Sequence, residues 1–233
     1  YRYVNEKRVI SATQFEAIEA WLKEMESAES PTPKLLVLVS TMPLAAGRPE
    51  ASEFFAKALD SELADDLVDK WASVANIEQR QKLLCMLARF MDRNKATHRL
   101  LVIGGDIHAS EITYWNTGDP DEVVAHEVVA SGLAQTNFDK RGTIYGMINR
   151  THACDETSQY ESLTTEKIEG PNFVEIYVDP RGAETSEEID VRVRFYLASI
   201  NGRFVRSKPN PNTGDRTIPL AENTPELEPH IDI

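Results

Sequence analysis

Leu100-Leu101-Val102-Ile103-Gly104-Gly105-Asp106-Ile107-His108-Ala109-Ser110 is the stretch on which the fold turns. Four consecutive apolar residues, two of them β-branched, run into a Gly-Gly break, and two side chains able to bind metal follow at once. An apolar run without polar alternation predicts a strand buried on both faces, as in a layered α/β protein. The glycines permit a sharp turn or a positive φ where the strand ends. Loops at strand ends are where α/β proteins place much of their chemistry. Asp106 and His108 stand two apart, so in an extended backbone they point to the same side. One hard oxygen and one imidazole nitrogen suit zinc, manganese or iron. An aspartate after Gly-Gly is equally ordinary turn chemistry, and a lone histidine is commonly a hydrogen-bonded structural residue. The residues alone leave both readings open.

Upstream, Asn76 and Gln79 have the spacing of a capping box, in which two side chains satisfy each other's orphan backbone donors. They predict a helix over 77–91 with Leu83, Leu84, Leu87 and Phe90 on its buried side, and Asn94 and Lys95 suit its end. Leu35-Leu36-Val37-Leu38-Val39 is a second uninterrupted apolar strand, closed by Ser40-Thr41-Met42-Pro43. Before it, Ser11 and Gln14 form another capping box. Phe15, Ile18, Leu22 and Met25 follow at helical spacing, so 12–26 reads as an amphipathic helix that Pro31 and Pro33 cannot continue. Strand, helix, strand is a crossover unit. The runs 35–39 and 100–103 are therefore predicted to be adjacent, parallel and central, with both helices on one face. Residues 44–66 are mixed and acidic, with a short helix expected around 52–58. Asp65, Asp66 and Asp69 lie beside Trp71 and read as acids favoured at a helix start.

Downstream the pattern changes. Ile112 to Trp115 and Val123 to Ala130 are strand-like around the turn residues Asn116 to Pro120. Residues 173–178 and 191–200 alternate as half-buried antiparallel strands do. Asn201-Gly202 is hairpin-turn chemistry, with Phe204-Val205 as the returning strand. The last 25 residues hold five of the twelve prolines, so 207–233 reads as a Pro-rich tail or wrap rather than an element.

Composition narrows the function. The 233 residues carry a net charge of −13, which argues against a nucleic-acid binding face. A phosphate-bearing substrate would be repelled too, unless bound cations reverse the local field. No run approaches the ~18 apolar residues of a membrane span. Cys85 falls in an apolar helical stretch and reads as a small buried hydrophobe, Cys154 falls in a polar loop, and no disulfide framework is expected. The compartment stays open. Because the chain begins at Tyr1 and not methionine, it is expected to be a processed or truncated product, and a missing leader says nothing about targeting. His98 reads as structural, His126 as an alternating strand residue, and His152 and His230 as loop residues.

The order of these parts resembles a family. Ser11 to Gln14 leading into Trp21-Leu22 is similar to the "Q…WL" helix of PhoD-like phosphatases, members of the calcineurin-like metallophosphoesterase superfamily. The strand 35–39 with Ser40-Thr41-Met42-Pro43 looks like a family strand and its loop. Asp69-Lys70-Trp71 with Arg80 is similar to the D-x-W…R segment, and Gly105-Asp106-Ile107-His108 to the G-D-x-H motif. Val129-Ala130-Ser131-Gly132-Leu133-Ala134 looks like the strand and small-residue loop that follow. The five motifs come in the family's order and cover roughly residues 8 to 200.

The resemblance implies an α/β fold, a metallophosphoesterase-type β-sandwich flanked by helices with a metal centre at the strand ends. It implies hydrolysis of phosphate mono- or diesters, with Fe, Zn, Mn or Ca as the metal. His108 would be a ligand, Asp106 a ligand or a carboxylate close to one, and Trp71 and Arg80 would contact substrate; core or lid packing for Trp71 and a surface or salt-bridged position for Arg80 are the other readings. The sequence departs from the family in lacking the D-x-H, G-D-x-x-(D/Y) and G-N-H-(D/E) or D-D-H-type motifs that precede these segments. The chain therefore looks like a C-terminal half, over 1–206, whose first partner is the missing N-terminal half of the same domain. Alone it is expected to be inactive. The other reading is a non-catalytic interaction or scaffold domain that keeps the sandwich without a complete metal site.

Overall fold

The computed structural model describes residues 9–27, 34–45, 71, 73, 76–95, 97–105, 110–116, 123–130, 150–153, 159–168, 172–179, 190–198, 204–206 and 230–232. The expected helix at 52–58, the acids Asp65, Asp66 and Asp69, and the pair Asp106 and His108 lie outside them.

Helix α1 (Ala12–Ser27) begins where its capping box places it. The Ser11 amide donates to Gln14 Oε1 at 2.8 Å, and the Gln14 amide to Ser11 Oγ at 3.2 Å. Strand β1 (Lys34–Val39) follows, and then helix α2 (Ile77–Asn94). The second capping box does not form, because Asn76 makes no side-chain cap. Gln79 instead grips the chain ahead of α1, accepting from the Val9 amide at 2.9 Å and donating to the Ile10 carbonyl at 3.0 Å. A long-range main-chain partner has displaced the local one.

Strand β2 (His98–Gly104) lies between β1 and β4 (Val123–Val129) and is parallel to both. Strand β3 (Ser110–Asn116) runs antiparallel to β4, and β6 (Gln159–Ile168) antiparallel to β3. With β5 (Arg150–Ala153) the order is β1-β2-β4-β3-β6-β5. The parallel pairing of β1 and β2 is as expected, but the central place of β1 is not. Among the described residues it ends the sheet, with Val37 43% and Val39 72% exposed. An apolar run fixes which faces a strand can bury; it does not fix how many neighbours the strand has.

A second sheet is built on β8 (Asp190–Ala198), which is antiparallel to β7 (Asn172–Asp179), β9 (Phe204–Arg206) and β10 (His230–Asp232). The β7–β8 pair and the returning β9 match expectation. Strand β10 corrects the reading of 207–233 as free of elements, since three residues are enough to pair along one edge. Strands β5 and β6 were not legible: Arg-Thr-His-Ala is short, and β6 has few apolar residues.

Strand alternation separates two cores. Leu36, Leu100, Val102, Ala125 and Trp115 face α1 and α2, meeting Phe15, Leu22, Leu83, Leu84, Leu87 and Phe90. Leu101, Ile112 and Val128 point the other way and meet Val191, Val193 and Phe195 of β8. The result is a mixed α/β protein with helices on one face of the larger sheet. Each fully buried large apolar side chain contributes about 1.5–3 kcal/mol.

Cys85 also corrects its expectation. It is buried on α2, but it is disulfide-bonded, and none of the described cysteines is a free thiol.

Candidate functional site

The carboxyl ends of the three parallel strands gather at one place. The Ser40 amide donates to the Ile103 carbonyl at 2.8 Å, and the Ala130 amide to the Gly104 carbonyl at 3.0 Å. The chain after β1, the Gly-Gly pair after β2 and the chain after β4 are thereby locked side by side. Neither glycine has a positive φ, so the turn is not what requires them. Close approach is the requirement at Gly104, where an added Cβ would come 3.2 Å from both the Cα and N of Pro43. At Gly105, among the described residues, a Cβ would meet the Ala130 carbonyl oxygen at 3.5 Å and the Thr41 carbonyl oxygen at 3.8 Å.

A buried ionic clamp holds the loop that presses on Gly104. Glu127 of β4 and Arg80 of α2 both have 0% exposure. The Glu127 carboxylate accepts from the amides of Leu44 (Oε1) and Ala45 (Oε2, 2.8 Å). The Arg80 guanidinium donates from Nε to the Leu44 carbonyl at 2.6 Å and from Nη2 to the Ala45 carbonyl. The main-chain N–H and C=O groups of two successive residues are thus all satisfied by one acid and one base. Charge-assisted hydrogen bonds are the means by which such buried ions are tolerated.

Ser40 reinforces the same turn, donating from Oγ to the Met42 carbonyl at 2.6 Å. Trp71 packs in the helix-side core at 3% exposure and aims Nε1 at Ser40 Oγ, 3.4 Å away. On the same face of the sheet lies a second fully buried carboxylate, Glu111 of β3, two residues from Thr113, which stands opposite Glu127.

Two of the four residues expected at the site are therefore visible. Arg80 and Trp71 stand behind the loop that closes the ends of β1 and β2, with almost no exposed surface. Asp106 and His108 follow Gly105 in the chain but lie outside the described residues. Among the described residues no group of three or more His, Cys, Asp or Glu side chains comes together as a metal site. His126, at 6% exposure, alternates to the face away from Glu127. His98 is buried as a structural residue, its Nδ1 2.8 Å from Thr97 Oγ1 and its ring edge-on to Phe90 at 5.4 Å.

Sequence reasoning missed Glu127. The signal was present: a glutamate inside Val123-Val124-Ala125-His126-Glu127-Val128-Val129-Ala130 is a carboxylate in a buried strand, and a buried carboxylate requires partners.

No protein-family model matches the chain, and no curated protein does. A solved structure described as "Structure of PhoD" aligns with 89% of this chain at 14% identity and a TM-score of 0.34. The chain spans 37% of the length of that one. At this TM-score the two share too little geometry for the likeness to bear on chemistry. No helix among the described residues is long and apolar enough to cross a membrane.

Proposed function

We propose that this chain is the C-terminal part of a metal-dependent phosphoesterase, acting on phosphate mono- or diesters within a metallophosphoesterase-type sandwich. One observation carries the reading: Gly104 and Gly105 are pinned where three parallel strand ends meet, and Asp106 is the next residue. The pattern Gly-Asp-Ile-His thus starts at the place where layered α/β proteins bind ligands. Asp106 and His108 supply an oxygen and a nitrogen donor, with the remaining ligands expected from the N-terminal half of the same domain. A bound Fe, Zn, Mn or Ca ion supplies Lewis-acid polarisation and a more acidic water.

The chain's own described residues do the positioning. Arg80 and Glu127 fix Leu44 and Ala45, which hold Pro43 against Gly104, and this sets the direction in which the chain leaves β2. Among the described residues β1 ends the sheet, which supports the addition of strands of the longer protein at its edge. The same edge is what a non-catalytic interaction domain would offer a partner. A phosphodiester assay decides between the two. The longer protein should hydrolyse a chromogenic phosphodiester in a metal-dependent, chelator-sensitive way, and the 233-residue chain alone should not exceed buffer. Metal-loaded longer protein without turnover on mono- and diesters would favour the interaction domain.

A further inference from the structure

We propose that the Cys85 disulfide, closed with Cys154, is a redox-sensitive staple holding the β5 end of the larger sheet onto α2, and that the chain matures in an oxidising compartment. Cys85 is disulfide-bonded, and the sequence offers one other cysteine, Cys154, directly after β5. Strand β5 lies against α2 and, among the described residues, pairs only with β6. Its four residues, Arg-Thr-His-Ala, include a single apolar one, so burial has little with which to anchor them. Cys85 sits at 6% exposure between Leu84 and Ala88 on the buried side of α2. A covalent link at that point would tie to α2 a strand whose sequence carries little apolar surface. It also closes a loop of about 70 residues, which restricts the unfolded chain strongly.

Formation is a two-electron exchange. The two thiols give up two protons and two electrons to a donor disulfide of a thiol oxidoreductase, which is released as a dithiol. Reducing compartments oppose this reaction and oxidising ones sustain it.

The test uses the full chain and its host cells. Acid-quenched cells are alkylated under denaturing conditions with and without prior reduction, and the attached alkyl groups are counted by intact mass. The expected result is none before reduction and two after it. Reduction of the purified chain should lower Tm by on the order of 10 °C. Amides of β5 should lose hydrogen-exchange protection, whereas the β1–β2–β4 amides keep theirs. The double variant Cys85→Ser/Cys154→Ser should match the reduced protein and no longer respond to reductant. Two free thiols in the quenched cells would overturn the proposal. A Tm that moves by less than a degree, with β5 protection unchanged, would also overturn it.

Discussion

Replacing Glu127 with glutamine tests the clamp at the strand ends with the least change in shape. The native carboxylate accepts two main-chain amides, from Leu44 and Ala45, at zero exposure. A carboxamide has one oxygen, so one amide would face an NH2 group, and two donors cannot satisfy each other. A hydrogen bond to a charged group contributes about 1.5–3 kcal/mol, and a buried donor left unpaired costs about 1–3 kcal/mol. These terms overlap, so the expected loss is about 2–4 kcal/mol in all. Urea unfolding followed by circular dichroism reads it as a fall in the midpoint at constant slope. Glu175→Gln is the control: Glu175 is half exposed and pairs with Arg194 at 2.9 Å, so its loss should stay within about 0.5 kcal/mol. A Glu127→Gln protein within about 1 kcal/mol of the parent would refute the clamp as the element that holds the loop.

Gly104→Ala should cost about 1–3 kcal/mol, because the new methyl meets Pro43 backbone that cannot swing aside, whereas Gly105→Ala should cost clearly less. Thermal melts of the two variants side by side check the order. The Arg93 guanidinium donates to Glu26 at 2.8 Å and holds that carboxyl below its ordinary value. Folding lowers the pKa, so the small stabilisation is present above the unfolded value and fades as pH falls through the folded one. An NMR titration should find Glu26 below the ordinary glutamate range, and Arg93→Ala should return it there.

Much of the fold was legible because it is written in periodicity. Phe15, Ile18 and Leu22 at helical spacing, the uninterrupted runs at 35–39 and 100–103, and the alternation of 173–178 each reappear as an element, and that of 191–200 does so as far as Ala198. What the pattern could not carry was competition between partners. Asn76 and Gln79 have capping spacing, yet Gln79 serves Val9 and Ile10, some 70 residues away in the chain. The apolar run of β1 says nothing about how many strands flank it. The motif that offered Arg80 as a phosphate contact carried no sign that its guanidinium donates to the carbonyls of Leu44 and Ala45. Cys85 looked like a plain hydrophobe, because a disulfide is a property of two positions and the surroundings of one do not reveal it. The Gly-Gly pair was correctly placed at a strand end, though Pro43 and not a positive φ explains Gly104.

The metal content of His108→Ala in the longer protein tests the central claim most directly. Only His108 follows a buried strand and a Gly-Gly pair with a carboxylate two residues before it, whereas His126 is buried on the far face of β4. His108→Ala should keep its fold by circular dichroism, yet lose metal and phosphodiesterase rate by at least the ~10–100-fold that even changes beyond the ligands produce. His126→Ala, measured beside it, should stay within a few-fold of the parent in rate and retain its metal. If His108→Ala keeps both metal and rate, Gly105-Asp106-Ile107-His108 is a turn and the chain is not part of a metal-dependent phosphoesterase.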